Sequence, residues 1–255
     1  MKHADNLKTI SFRTAELAES DVKVLKELES MTNKKFSKIE KIRHYTQMGF
    51  TCANRRVTGI EISETGLENI PESISTLKLL KKLFLESNKI INLPESIGNL
   101  NSLEKVSLWA NQLKALPESI KHLTSLKELY LRANNLRTVP ASIGNLTSLE
   151  VLDLCGNNLQ TIPESIGNLT SLTSLTLNIN KLKTVPESIG NLTSLEVLWL
   201  SHNELRTLPE SIRSLESLKE LALKHGFEKK KDSIPAVIET IEELEKKGVF
   251  IPQIY

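Results

Sequence analysis

Residues 149–171 read LEVLDLCGNNLQTIPESIGNLTS, and residues 195–217 read LEVLWLSHNELRTLPESIRSLES, which is the same pattern of leucine, asparagine and proline. When the chain is written in rows of 23 residues, proline and asparagine each form a column without a gap. The proline column holds Pro71, Pro94, Pro117, Pro140, Pro163, Pro186 and Pro209, and the asparagine column holds Asn88, Asn111, Asn134, Asn157, Asn180 and Asn203. Self-similarity at one fixed period indicates a solenoid of stacked repeats. We number these rows as repeats 1 to 8, which cover residues 57–241.

Each repeat has two halves with different periodicities. The first half contains an L-x-L pair, as in Leu152 and Leu154, and this alternation is typical of a short strand with one buried face. Because such a strand cannot bury its leucines alone, successive strands must lie side by side in a parallel sheet, about 4.8 Å apart. The second half, PESIGNL, begins with proline and spaces isoleucine and leucine three residues apart, which predicts one helical turn on the opposite, convex side.

The full row, L-x-x-L-x-L-x-x-N-x-L-x-x-(I/L/V)-P-x-S-I-x-x-L-x-S, resembles the leucine-rich repeat family in its 23-residue intracellular form. The resemblance implies an α/β solenoid, curved into an arc, with a parallel β-sheet on the concave side, short helical turns on the convex side and helical caps. It also implies that the asparagine column forms a ladder, in which each amide bonds buried backbone groups that water cannot reach. Such proteins are adaptors or regulators, often associated with small GTPases, kinases, phosphatases or ubiquitin-ligase machinery.

The two ends of the chain depart from the repeat, as capping segments should. Residues 1–56 predict an N-terminal cap with a helix at 21–31, a second helix at 36–45 and a strand at 49–53 that turns at Asn54 and Arg55 into repeat 1, where Thr65 replaces the asparagine. Residues 235–255 predict a C-terminal cap that overlaps repeat 8. Its helix, 235–247, has an apolar stripe that should lie over the last repeat and consists of Val237, Ile238, Ile241 and Leu244.

Composition narrows the classes of partner and the cellular location. The 255 residues carry 33 Lys+Arg and 31 Asp+Glu, a formal charge of +2, so there is no overall basic field to attract nucleic acid or an anionic membrane. No run of 18 apolar residues and no signal-like start is present, which favours a cytoplasmic protein. The two cysteines, Cys52 and Cys155, are too few for a disulfide framework and should be free thiols.

The residues that alternate with the buried leucines point into the concave face, where the framework does not require them. Phe84, Trp109 and Tyr130 occupy three successive repeats and should form one exposed apolar ridge, bordered by charged side chains such as Lys105 and Arg132. We therefore predict a protein-binding or peptide-binding surface made of Phe84, Lys105, Trp109, Tyr130, Arg132, Asp153, Trp199 and His202. Two alternatives stay open, namely that these aromatics only support one another across the sheet, or that the exposed positions have simply drifted.

Catalytic and metal sites are not expected. His202 and His225 are 23 residues apart and should lie on adjacent strands, but zinc needs a third protein ligand that is not apparent. Cys155 has no neighbouring base, and the paired carboxylates Glu61 and Glu64 should be solvated. The sequence thus predicts a non-enzymatic, cofactor-free module, with a monomer favoured. Two further hypotheses remain, which are the recognition part of a larger enzyme or signalling assembly and a structural or consensus-like repeat protein without a ligand.

Overall fold

The structure is a computed structural model, and it describes residues 8–42, 48–224 and 234–252. In chain order, the described residues form the strands β1 (Thr9–Phe12), β2 (Ala15–Ala18), β3 (Ser37–Lys38), β4 (Met48–Ala53), β5 (Arg56–Ile62), β6 (Lys82–Phe84), β7 (Lys105–Ser107), β8 (Glu128–Tyr130), β9 (Val151–Asp153), β10 (Ser174–Thr176), β11 (Val197–Trp199) and β12 (Glu220–Ala222), and the helices α1 (Glu19–Thr32) and α2 (Ile234–Lys246). Strands β3 to β12 form one sheet in consecutive order, and β1 and β2 form a separate hairpin. This architecture is a leucine-rich solenoid, as the repeat predicts.

Strands β5 to β12 are parallel, and each is displaced by one 23-residue repeat from the next. Leu152, for example, pairs with Leu129 on one side and Leu175 on the other. The side chains of all three are almost completely buried, and one continuous apolar cluster extends from Phe12 to Val249. The repeats therefore share a single core made of stacked aliphatic layers.

The convex side carries one 3₁₀ helix in each of repeats 1 to 7, where the sequence predicts a helical turn. They span Glu72–Thr76, Glu95–Asn99, Glu118–His122, Ala141–Asn145, Glu164–Asn168, Glu187–Asn191 and Glu210–Ser214. Each begins after an extended proline, as at Pro163 with φ −72° and ψ 151°, because the ring fixes φ and has no N–H to leave unsatisfied. Neighbouring turns are closely packed, since a Cβ at Gly98 would lie 2.5 Å from the backbone oxygen of Ser119.

The asparagine column forms the predicted ladder. Asn157 is typical: its side-chain nitrogen donates to the carbonyl oxygens of Leu131 and Leu154, both at 3.0 Å, and its oxygen accepts the N–H of Leu136 at 3.0 Å. The same pattern recurs along the column, and all six side chains are buried, with 5 to 8% of their surface exposed. The ladder begins at Thr65, whose N–H and hydroxyl both donate to Asn88.

The N-terminal cap contains the predicted first helix, α1, and the predicted strand β4, which turns back into β5 of repeat 1. The predicted second helix at 36–45 is wrong for the part that the structure describes. Phe36 is buried edge-on against Phe50, with ring centroids 6.3 Å apart, and the residues after it form β3, which pairs with β4. Tertiary pairing at the sheet edge therefore overrides the local helical pattern. The turn at Asn54 and Arg55 is confirmed, with φ of 49° and 62°, as a two-residue hairpin requires.

One buried carboxylate joins the N-terminal cap to repeat 1. Asp21 of α1 has no exposed surface, and its oxygens accept the backbone N–H of Val57 at 2.8 Å and the Nε–H of Arg56 at 3.1 Å. An Arg56 terminal nitrogen lies 3.0 Å away. A buried charge of this kind is stable only because every partner is in place.

The C-terminal helix α2 packs on repeat 7 and not over repeat 8 as predicted, because α2 itself follows β12 at the place of the convex turn of repeat 8. Arg213 of repeat 7 forms an ion pair with Glu243 at 3.1 Å. Val237, Ile241 and Leu244 are buried as the apolar stripe predicts, but Ile238 is 40% exposed. Its inclusion in the stripe is wrong, because Ile238 lies about 100° around the helix from Val237, at the margin of the face that Val237, Ile241 and Leu244 form at spacings of four and three. Phe250 pairs with β12 through its backbone, so the tail extends the sheet by one bridge.

Candidate functional site

The concave face has three columns of side chains, set by the alternation of each strand. The first column contains Lys82, Lys105, Glu128, Val151, Ser174, Val197 and Glu220. The second contains Phe84, Ser107, Tyr130, Asp153, Thr176, Trp199 and Ala222, and the third contains Glu86, Trp109, Arg132, Cys155, Asn178, Ser201 and Lys224. Strand register places the members of the first two columns directly beside one another, and backbone hydrogen bonds such as that from the Ala110 N–H to the Arg132 carbonyl continue the alignment past the strand ends.

The predicted ridge of three exposed aromatics is wrong in two respects. Phe84 and Tyr130 lie in the second column with Ser107 between them, whereas Trp109 lies two residues further on, in the third column. Phe84 is also only 3% exposed, although the alternation of the strand directs its side chain to the concave side. Phe84 stands in register beside the fully buried Glu61 of β5, and on its other side the Lys105 ammonium nitrogen lies 5.7 Å from the ring centroid. Phe84 is therefore enclosed on the concave side by its neighbours, outside the continuous apolar cluster, and is not part of the accessible surface.

Lys105 is the centre of a fixed polar group. Its ammonium nitrogen lies 5.0 Å from the ring centroid of Tyr130 and 5.7 Å from that of Phe84, and it forms an ion pair with Glu128. The Tyr130 hydroxyl donates to the same carboxylate at 2.7 Å. These contacts hold the Tyr130 ring in one orientation before any partner arrives.

The pKa values of this group follow from its burial and its hydrogen bonds. Burial acts to raise the pKa of the Glu128 carboxyl, but the hydrogen bonds from Lys105 and Tyr130 lower it below its ordinary value. For the Tyr130 phenol, burial and then the hydrogen bond to Glu128 raise the pKa. At neutral pH, Glu128 is thus ionised and Tyr130 keeps its proton.

Beside this group lies a shallow depression of about 280 Å³ in the middle of the sheet. It is lined by Glu86, Ser107, Trp109, Tyr130, Arg132 and Asp153. Trp109 and Tyr130 are partly exposed, and Arg132 is exposed. Asp153 accepts the backbone N–H of Cys155 at 2.9 Å, which fixes its carboxylate. The structure thus brings together five of the eight predicted residues, namely Lys105, Trp109, Tyr130, Arg132 and Asp153.

Trp199 and His202 form a second part of the face, two strands beyond Asp153. Trp199 is 36% exposed, and its indole N–H donates to Glu220 at 2.8 Å. His202 is exposed and has a left-handed backbone, with φ 54°. Thr176 separates this part from the depression in the second column.

Sequence reasoning missed Ile179, which is 51% exposed in the repeat that precedes Trp199. Its φ of 56° is left-handed, a conformation that is costly for a β-branched residue. The equivalent residues of the three preceding repeats are Ala110, Ala133 and Gly156. In the sequence, a large apolar residue at a repeat position that holds alanine or glycine in the three preceding repeats could have identified this exposed side chain.

Cysteine, carboxylate and histidine side chains were the other residues considered as sites. Cys155 is buried, and burial raises the pKa of its thiol, so the sulfur is protonated at neutral pH. Cys52 and Cys155 are both free cysteines, as predicted. Glu61 is buried rather than solvated, which corrects the expectation for that carboxylate. His225 lies outside the described residues, and within them no group of three His, Cys, Asp or Glu is placed to hold a metal ion.

The helices that the structure describes are all too short or too polar to span a lipid bilayer.

Comparison with known proteins agrees with the architecture. A sequence model described as a leucine-rich repeat region matches residues 129–247. A leucine-rich repeat protein of Leptospira interrogans is 36% identical with a TM-score of 0.70, over 76% of this chain and 48% of its own. The ectodomain of GASSHO1/SCHENGEN3 from Arabidopsis thaliana, in complex with CASPARIAN STRIP INTEGRITY FACTOR 2, is 26% identical with a TM-score of 0.66, over 80% of this chain and 25% of its own.

PEPR1, whose structure includes AtPEP1, is 30% identical with a TM-score of 0.63, over 73% of this chain and 29% of its own. The chain thus spans about half the length of the Leptospira protein and 25 to 29% of the other two. Among curated protein sequences, none matches this chain significantly.

Proposed function

The chain belongs to the leucine-rich repeat family, and on that premise we propose that its concave face binds a protein or peptide partner without catalysing a reaction. The family fold commonly serves as a protein-interaction module, and two of the similar structures are complexes, that of the GASSHO1/SCHENGEN3 ectodomain with CASPARIAN STRIP INTEGRITY FACTOR 2 and that of PEPR1 with AtPEP1. The contact residues would be Lys105, Trp109, Tyr130, Arg132, Asp153, Trp199 and His202, now without Phe84.

The observation that carries this proposal is the placement of both tryptophans on the concave sheet with part of their rings exposed. The buried core of the repeat is built from leucine and isoleucine and does not need them. Aromatic and arginine side chains are enriched in the centres of protein interfaces, where they supply large contact area at low cost in conformational entropy. Trp109 stands beside Arg132, and Trp199 lies one repeat from the exposed Ile179, so the face offers two apolar anchors with charged side chains around them.

We propose that this binding serves an adaptor or regulatory role in the cytoplasm. The chain would act there as a monomer with repeats of the 23-residue intracellular type. A net charge near zero and the charged rim of the face suit a polypeptide partner better than a polyanion. The fixed Lys105, Glu128 and Tyr130 group supports this function, because a preorganised surface loses little entropy on binding.

The test is a selection of displayed random peptides on the purified chain, followed by anisotropy measurements with each enriched peptide. The W109A and W199A variants should weaken binding by roughly thirtyfold if each tryptophan is a hot spot worth about 2 kcal/mol. The matched control is L79A, because Leu79 is 41% exposed but lies outside the concave columns. Peptides that bind all of these variants as tightly as the original chain, or a selection without enrichment, would contradict the proposal.

A further inference from the structure

A second surface follows the edge of the sheet at which each repeat leaves its ladder asparagine. We call it the basic edge and define it as Lys114, Arg137, Lys181, Lys183 and Arg206, which lie one or three residues after those asparagines in repeats 3, 4, 6 and 7. Part of it encloses a groove of about 750 Å³. The groove is lined by Lys114, Asn135, Arg137, Asn158, Gln160 and Lys181, and this lining includes no carboxylate.

The five cations of the basic edge are exposed, and the edge also carries one carboxylate, Glu204 in repeat 7, at the position equivalent to Lys181. The side chains of Lys114, Arg137, Lys181 and Lys183 form no hydrogen bond or ion pair with any residue that the structure describes.

The opposite edge of the sheet is organised differently, and it serves as an internal comparison. There, just before the strands, lysine and glutamate pair between adjacent repeats, as Lys81–Glu104 at 2.8 Å, Lys127–Glu150 at 3.2 Å and Glu196–Lys219 at 2.7 Å. One edge of the sheet thus pairs lysine with glutamate, whereas Lys114, Arg137, Lys181 and Lys183 at the other edge have no carboxylate partner among the described residues. Uncompensated charge of one sign along a groove favours a partner of the opposite sign.

The lining residues indicate which anionic partner fits. Single-stranded nucleic acid is normally held by aromatic side chains that stack on its bases, and the groove contains none. Stable binding to a membrane surface normally adds inserted apolar side chains to the attraction of the cations, and the lining contains none. Asn135, Asn158 and Gln160 instead present amides that both donate and accept hydrogen bonds, as the main chain of a peptide requires.

We propose that the basic edge binds an extended, acidic polypeptide segment that runs across the repeats. Lys114 in repeat 3 and Arg206 in repeat 7 are four strand spacings apart, or about 19 Å at 4.8 Å per strand. An extended chain covers that distance with about six residues at 3.3 Å each. Carboxylates on one side of the segment would meet Lys114, Arg137 and Lys183, and the side-chain amides between them would bond its backbone.

The experiment uses the full chain and a fluorescein-labelled hexaglutamate peptide, with hexaglutamine as the uncharged peptide. The triple variant K114Q/R137Q/K181Q should weaken hexaglutamate binding at least about tenfold, as expected for contact between opposite charges. The control K26Q/K121Q/K246Q removes the same total charge from exposed lysines elsewhere and should change binding less than about twofold. Hexaglutamine should bind neither protein, and 0.5 M salt should abolish hexaglutamate binding.

Three results would overturn the assignment. Equal loss in the two triple variants would mean that only the overall charge matters. Tighter binding of a twelve-nucleotide thymidine strand, or of phosphatidylserine vesicles, than of hexaglutamate would assign the edge to another class of partner. Loss of hexaglutamate binding in W109A/W199A would place the acidic peptide on the concave face. Unchanged binding in that variant would show that the basic edge binds independently of the surface in the proposed function.

Discussion

Replacing Asn157 by alanine tests how much the ladder contributes to stability. The change removes the oxygen that accepts the buried Leu136 N–H, and leaving such a group unpaired costs about 1 to 3 kcal/mol. It also removes two donated bonds, to the carbonyls of Leu131 and Leu154, at about 0.5 to 1.5 kcal/mol each. Those carbonyls keep one partner each, since Asn134 and Asn180 also donate to them. We therefore expect a loss of roughly 2 to 6 kcal/mol.

Thermal unfolding followed by circular dichroism measures this loss. At about 2 to 4 °C per kcal/mol for a chain of this size, the midpoint of Asn157→Ala should fall by at least about 4 °C. Asn158→Ala is the matched control, because this neighbouring asparagine is half-exposed and its side chain bonds to no described residue. Equal midpoints for the two variants would refute the claim that ladder amides stabilise the solenoid beyond its apolar stacking.

Five other substitutions have definite expectations, each checked by the thermal midpoint. Leu154→Ala should cost about 2 to 5 kcal/mol, whereas Trp199→Ala should leave stability nearly unchanged, and unfolding by the tryptophan change would place Trp199 in the core. Ile179→Gly should raise the midpoint, because the strain of the left-handed backbone that it relieves, about 1 to 2 kcal/mol, exceeds the entropic cost of glycine, about 0.5 to 1 kcal/mol. A lower midpoint would contradict this expectation. Asp21→Ala should cost about 3 to 5 kcal/mol by leaving Arg56 and a buried N–H unpaired, and a cost below about 1 kcal/mol would count against that contact. The pKa of Glu128 is lower in the folded chain than its unfolded value of 4.5, so the ionised carboxylate stabilises the fold above pH 4.5, and this stabilisation is lost as the pH falls through the folded pKa. The difference in thermal midpoint between the original chain and Glu128→Gln should therefore shrink between about pH 7 and about pH 3. A difference that stays constant with pH would refute this expectation.

The repeat region could be predicted almost completely, because each repeat buries its leucines only against copies of itself. The spacing of Leu152 and Leu154 fixes a strand, the following proline fixes the turn, and the column of asparagines fixes the ladder. Local pattern and tertiary environment are the same for every internal repeat, so one row predicts the next.

The caps were harder, because their environment is not repeated. The lysine-rich segment after Phe36 has the apolar spacing of a helix, but Phe36 packs against Phe50 and the chain pairs with β4 instead. Ile238 fits the helical stripe of α2 and still remains exposed, since nothing in the helix itself states how much of its surface repeat 7 covers. Contacts of this kind join segments far apart in sequence, and single-segment patterns do not contain them.

For the concave face, the sequence by itself determined which side chains leave the sheet on that side, since alternation along a strand fixes direction. Only the tertiary structure decided which of them partners can reach. Phe84 and Tyr130 share a column, yet Lys105 and the neighbouring Glu61 enclose the first ring while the second lines an open depression. The accessibility of a side chain depends on what stands beside it on the next strand, and for Phe84 that was set by particular neighbours rather than by the period of the repeat.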